Sequence, residues 1–291
     1  MLYDVRHKTT FAYEQIVSVS HHVLHLMPRE SARQQRLDFT LDVDPEPSQE
    51  SSNQDYFGNS VHHLTMQVPH DHLVVESYSR VDVRPCAEVV DLSTSPAWEH
   101  IAARLINADI NAFDPQPFIF DSPYIATSNE VRKFALPSFP PGRPILVAAR
   151  ELTSRIFNDF EYQGGVSDVS TPVRQVLKMR KGVCQDFAHL QIACLRSLGL
   201  AARYVSGYLL TRPPPGKEKL VGSDASHAWL SVWADDMGWV DFDPTNNAIP
   251  DHEHITVGWG RDYGDVSPIN GFIIGGGAHE LIVSVDVSPV S

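Results

Sequence analysis

The sequence predicts an α+β protein, with an all-β, sandwich-like N-terminal region ahead of a unit in which one helix packs on an antiparallel sheet. Three observations predict it. Across residues 1–90, runs such as YDVRHKTTFAYE, QRLDFTLDVDPEP and LVVESYSRVDVRP alternate apolar and polar positions between clusters of Pro, Asn, Gly and Ser. From Cys184 to Leu198, the apolar residues Phe187, Leu190, Ala193, Cys194, Leu195 and Leu198 return at three- and four-residue steps, as on a helix with one buried face, until Gly199 stops it. Strand-like runs follow at 202–210, 223–233 and 238–245.

Within residues 1–90, DYFGNSV places a Gly-Asn turn between Phe57 and Val61, the signature of a hairpin. Histidines are dense here, and His70 and His72 would share one strand face. No Cys or carboxylate cluster completes a ligand set at usual spacing, so hydrogen-bonding histidines are expected and metal binding is not. Residues 91–142 read as a partly helical connector. SPAWEHIAARLINADI has helical spacing of Trp98, Ile101, Leu105 and Ile106, SNEVRKFAL is a short helix capped by Ser128 or Asn129, and LPSFPPGRP is a hinge.

Residues 143–250 form the next unit. Ile145, Leu146, Ala149, Leu152 and Ile156 make a helical stripe, and TPVRQVLKMRK, with Thr171 as cap and Pro172 at its first position, leads the chain into Gly182 and Cys184. The ring of Tyr162 is expected in the core, with donation to an oxyanion as the alternative. Thr211–Ala225, rich in Pro, Gly and charge, reads as a mobile loop overhanging the cleft and setting substrate access. Residues 251–291 read as strands joined by Gly-rich turns, packing on one of the earlier units. Their Gly275–Glu280 stretch lacks the Lys and Ser/Thr of a phosphate loop.

Cys184 falls on the first turn of its helix, near unpaired backbone N–H groups and the positive end of the dipole, both of which favour thiolate. By position alone, nucleophile and packing residue both stay open. His227 opens one downstream strand and Asp243 ends the next, just before a Pro-Thr turn. A sulfur, an imidazole to hold its proton and a carboxylate to fix the imidazole's tautomer complete a nucleophilic set. Asp186 and Asp241 compete for the carboxylate role. Asp186 better suits the helix N-terminus, while Asp241 shares a strand face with Asp243.

GVCQDFAHL, SHAW and GWVDFDPT resemble the three blocks of the transglutaminase-like superfamily core, a papain-like Cys-His-Asp fold. The resemblance implies Cys184 as nucleophile, His227 as general base and Asp243 as its orienting carboxylate. The first 90 residues, with YDVRH and LMPRE, resemble the β-rich region that accompanies this core in bacterial proteins, and GRDYGDV resembles the C-terminal pattern. In that segment Arg261 and Asp262 are expected to brace the loop as an ion pair, with substrate binding as the alternative. The expected activity is hydrolysis of a peptide or amide through a thioester. Transglutamination and a non-catalytic peptide-binding module are the alternatives.

Charge and composition exclude other classes. Lys and Arg number 23 against 36 Asp and Glu, a net charge of −13, which argues against nucleic acid or an anionic membrane as partner. No run approaches the roughly 18–20 apolar residues of a spanning helix. MLYDVRHKTTFAYEQIV lacks the apolar stretch and cleavage site of a signal peptide, so a cytoplasmic location is expected. Three cysteines, Cys86, Cys184 and Cys194, form no secreted-type framework. Cys184 and Cys194 would stand about 15 Å apart along one helix, too far to bond. No cofactor and no metal is expected; the partner is a peptide or amide substrate, and homo-oligomerisation is left open.

Overall fold

The computed structural model describes residues 1–85, 91–107, 114–211 and 226–290. Cys86 and nearly all of the loop expected to overhang the cleft lie outside the described residues. In chain order the first strands are β1 (Leu2–Leu24), β2 (Gln34–Asp44), β3 (Gln49–Gln54), β4 (Ser60–Met66) and β5 (His70–Val83). Helices α1 (Trp98–Ile106), α2 (Asn129–Ala135) and α3 (Ile145–Asp159) follow, then β6 (Glu161–Tyr162), α4 (Val173–Met179), β7 (Lys181–Gly182) and α5 (Cys184–Arg196). The chain closes with β8 (Ala202–Leu209), β9 (Ser226–Trp233), β10 (Trp239–Phe242), β11 (His254–Gly260), β12 (Ile269–Gly275) and β13 (His279–Pro289).

Seven strands form one sheet around β1. Its first half lies between β5 and β13, with Tyr3 opposite Val81 on one side and Pro289 on the other. Its second half lies between β4 and β12, with His22 opposite Leu64 and Gly271. Register breaks between Ala12 and Val17, where β1 passes from one half to the other. The halves share a cluster of Val17, Leu24, Leu64, Met66, Leu73 and Val75, flanked by Leu41 and Val43 of β2 and Ile269 and Ile273 of β12. This is the sandwich-like arrangement that the alternating pattern predicts. The hairpin of β3 and β4 turns at Asp55–Asn59, where the Asp55 carboxylate accepts the N–H groups of Phe57 and Asn59, both at 2.8 Å.

The second sheet is antiparallel, in the order β10-β9-β8-β11. Tyr208, Ile255 and Val257 join it to Tyr3, Val5, Val81, Val83, Val285 and Val287 of the first sheet in a shared core. Its other face carries α5, and Ile101, Leu105, Val131, Leu152 and Val176 of α1–α4 belong to the same apolar cluster as Leu190 and Leu230. Ser128 caps α2 by accepting the Val131 N–H at 3.2 Å. Thr171 does not cap α4 as expected: its hydroxyl accepts the Asp168 N–H at 2.9 Å instead, and Pro172 stands at the cap.

The pattern of α5 predicts one buried face, yet every residue from Asp186 to Arg196 is buried. The polar ones have internal partners. Gln191 donates to Thr153 Oγ1 at 2.8 Å and the Ala149 carbonyl at 3.2 Å. Arg196 donates to the carbonyls of Phe118 at 3.0 Å, Ala202 at 2.9 Å and Arg261 at 2.6 Å, fastening three separate segments to the end of the helix. Burial lowers the Arg196 pKa to about 10, which leaves it charged at neutral pH. Arg196→Met strands these buried acceptors, so a loss of about 3 kcal/mol is expected in urea denaturation. A change within about 0.5 kcal/mol, the usual range for a surface substitution, would contradict the clamp.

Candidate active site

Cys184 opens α5, and the residues before it fix its place. Parallel pairing of β6 with β7 sets Tyr162 opposite Gly182. Asp186 reaches back from the first turn and accepts the Val183 N–H at 2.8 Å and the Ser167 hydroxyl at 2.5 Å. Its carboxylate lies over Gly182, where an added Cβ would stand 2.6 Å from Oδ2, so no larger residue fits without moving it. Burial raises the Asp186 pKa, opposed by those two hydrogen bonds. Asp186 therefore fixes the helix start, as its position predicts. Cys184 itself stays partly exposed on a turn whose N–H groups have no intrahelical acceptor.

His227 lies near the start of β9, opposite Gly207 of β8. Trp229, on the same face, lies across that glycine: a Cβ at Gly207 would come within 2.5 Å of the indole and 2.1 Å of the Ile255 carbonyl. The rings of Trp229 and His227 are nearly parallel, with centroids 6.0 Å apart. Trp229 Nε1 donates to Asp241 at 3.0 Å, and the Ser231 hydroxyl donates to the same carboxylate. Asp241 thus orients the tryptophan, not the histidine.

Asp243 takes the histidine. Fully buried just past β10, its Oδ2 lies 2.7 Å from His227 Nε2, 2.7 Å from Asn246 Nδ2 and 3.1 Å from His254 Nε2. Its Oδ1 accepts the backbone N–H groups of Thr245 at 2.9 Å and Asn246 at 3.2 Å. With Nε2 held by Asp243, His227 has Nδ1 left for the sulfur. Burial works against a charged His227. Hydrogen bonds to Asp243 and Cys184, and the charges of both, outweigh it and raise the pKa to about 10. Burial likewise opposes the Asp243 carboxylate, but its bonds to His227, His254 and Asn246 hold its pKa well below the ordinary carboxylate value.

The structure therefore joins His227 to Asp243 and places Cys184 near enough to raise the His227 pKa, and it adds two residues that sequence reasoning missed. Asn246 stands in the turn after Asp243, where an Asn next to a carboxylate is an ordinary turn residue. His254 opens β11, and no spacing rule ties it to a carboxylate two elements earlier. Two expectations are corrected. Tyr162 is 59% exposed instead of in the core, although it lies near enough for Cys184 to raise its pKa after burial does. Arg261 pairs with Asp265, at 2.9 and 2.8 Å, not with Asp262; buried Asp262 accepts the N–H groups of Tyr124 and Gly264, both at 2.9 Å. The N-terminal histidines do not converge. Among the described residues, only His227, Asp243 and His254 bring three potential metal-ligand atoms within 4.8 Å of one another, and an ion there would have to break their mutual hydrogen bonds.

The pair leaves a signature in stability. His227 has a folded pKa of about 10 against an ordinary 6.5, so its contribution is complete below pH 6.5 and is lost as pH rises through about 10. Asp243 is depressed from 3.8, so its contribution is complete above that value and is lost as pH falls through the lowered pKa. Urea denaturation between about pH 6 and 10 should show wild type losing stability relative to His227→Gln, by at most about 1.4 kcal/mol per pH unit. Parallel profiles for the two proteins would exclude a charged His227 in the folded state.

Comparison with known proteins extends the geometry to the whole chain. Residues 3–82 match the bacterial transglutaminase-like N-terminal region and residues 140–244 the transglutaminase-like superfamily. An uncharacterized protein of Mycobacterium tuberculosis is 43% identical over 295 residues, covering 99% of this chain and 92% of its own. One from Mycobacterium leprae is 32% identical, covering 98% and 97%. A protein-glutamine gamma-glutamyltransferase of Pseudomonas aeruginosa is 36% identical over 73 residues, which is 25% of this chain and 11% of that one. The crystal structure of a candidate cysteine protease from Cytophaga hutchinsonii superposes with a TM-score of 0.77 at 22% identity, over 99% of this chain and 90% of that one. The β-rich region, the helix headed by Cys184 and the strands bearing His227 and Asp243 are thus those of one family, and the protein belongs to the bacterial branch of the transglutaminase-like superfamily.

Proposed function

We propose that the protein is a cysteine-nucleophile acyl-transfer enzyme that hydrolyses peptide or amide bonds through a thioester, with Cys184, His227 and Asp243 as its triad. The observation that carries this reading is the 2.7 Å bond between Asp243 and His227 Nε2, which leaves Nδ1 of the ring for the sulfur. Such a carboxylate fixes the imidazole in the orientation that presents its other nitrogen to a nucleophile. Membership of the transglutaminase-like superfamily supports cysteine-based chemistry at this position.

The sulfur of Cys184 attacks the carbonyl carbon, and the oxyanion faces the N–H groups at the start of α5. As the C–N bond breaks, His227 gives its proton to the leaving amine. Water then attacks the thioester and passes a proton to His227, and the C–S bond breaks to restore the thiol and release the acid. An amine in place of water would give transamidation. The segment shared with the Pseudomonas aeruginosa protein-glutamine gamma-glutamyltransferase favours that second reading. Hydrolysis is preferred because transamidation needs an acceptor site that keeps water from the thioester.

Iodoacetamide labelling followed by peptide mass mapping tests the nucleophile. Cys184 should alkylate and Cys194 should not, because Cys194 is buried and its thiol pKa is pushed up by that burial. His227→Ala should slow Cys184 labelling at neutral pH by about tenfold or more. Equal rates in both proteins would favour a non-catalytic binding module. On a peptide and amide library, Cys184→Ala should lose about 10³-fold or more of any turnover. An added primary amine then separates the two fates of the thioester by product.

A further inference from the structure

Among the described residues two arginines are buried, and only one of them has hydrogen-bond acceptors. Arg196 donates to the carbonyls of Phe118, Ala202 and Arg261 and to the Ser122 hydroxyl. Arg203, on β8, is 8% exposed, and no described residue accepts a hydrogen bond from its guanidinium or stands within ion-pair distance of it. Its flat faces are covered instead, by Trp259 at 3.7 Å and Trp239 at 4.4 Å from their ring centroids. Burial lowers its pKa, partly offset by the charges of Asp241 and Asp114, to about 10, so it is a cation at neutral pH.

Arg203 lines a cavity of about 500 Å³ between the second sheet and the Ser31–Gln34 segment, a size suited to a small molecule. Trp229, Trp239 and Trp259 also line it and give it broad apolar walls. Two carboxylates on the same wall do not neutralise Arg203 directly. Asp241 is bonded to Trp229 and Ser231, and Asp251 pairs with Arg33 at 2.8 Å. The Arg203 Nε–H is a buried donor on this cavity wall with no acceptor, and a planar guanidinium matches a carboxylate through two parallel bonds.

We propose that this cavity is a binding site for a small carboxylate with a flat apolar body, the carboxylate on Arg203 and the body against the tryptophans. The site is separate from the Cys184 cleft but touches its support. Trp229 stacks on His227, and His254, which also lines the cavity, bonds Asp243. An occupant would press on both residues.

Benzoate, with benzamide as its uncharged counterpart, tests the site through the indole N–H signals in nitrogen-15 spectra of the intact protein. Benzoate should shift the signals of Trp229, Trp239 and Trp259 saturably and leave that of Trp98 in place. Benzamide should bind about tenfold or more weakly, the loss of a charge-assisted bond. Arg203→Gln should lose benzoate affinity to a similar extent with an unchanged thermal midpoint. If that variant does not fold, the comparison of the two ligands on wild type decides alone. Carbamidomethylation of Cys184 should leave benzoate affinity unchanged. No saturable shift, equal affinity for benzamide, or loss of binding on carbamidomethylation would overturn the proposal.

Discussion

Everything at the candidate site hangs on one buried anion. Asp243 has no solvent to share its charge, and an uncompensated carboxylate in that position would be prohibitively unstable. The fold surrounds it with five donors: two histidine rings, the Asn246 amide and two backbone N–H groups of the turn that follows. The backbone pair comes from the local geometry of the Asp-Pro-Thr-Asn turn, so the carboxylate is partly stabilised before β11 arrives. The two rings come from β9 and β11, on either side of β8. Sheet order and electrostatics therefore constrain each other, and His227 cannot move far without exposing the charge it shares.

The second constraint is the burial of α5. A helix enclosed on all sides holds its first residue more firmly than one lying on a surface, because α2, α3, α4 and the sheet each limit its rotation. Its polar residues act as fasteners: Gln191 to α3, and Arg196 to the carbonyls of three other segments. Only the first turn remains partly open, and Asp186 locks that turn back onto Val183. The proposed nucleophile thus sits at the one accessible end of a rigid rod, a preorganisation that acyl transfer requires.

How much of this the sequence discloses depends on how local the physics is. Period-two and period-three-to-four patterns give the β-rich region, α5 and the strands after it, since each pattern follows from the geometry of its own element. Cys184, His227 and Asp243 are legible because each sits at an element boundary of recognisable type. The choice of Asp243 over Asp241 is legible only through resemblance, as the two share a strand face and differ by which neighbour each meets. His254 and Asn246 are not legible, because their roles are created by strand order. The all-round burial of α5 is hidden for a similar reason: Gln191 and Arg196 look solvent-facing until the segments that accept their bonds are in place. Tyr162 misleads in the opposite direction, its aromatic ring suggesting a core place that the short β6 pairing denies it.

Strand β1 carries a consequence for biosynthesis. One of its flanks is filled by β4 and β5, which emerge soon after it, but the other waits for β12 and β13, some 250 positions further along. A nascent chain that has made only the early strands presents that flank as a long row of unsatisfied amides and carbonyls, open to capture by any neighbouring strand. The ribosome releases the closing strands long after the early ones, so the interval before their arrival is when this polypeptide most needs a chaperone.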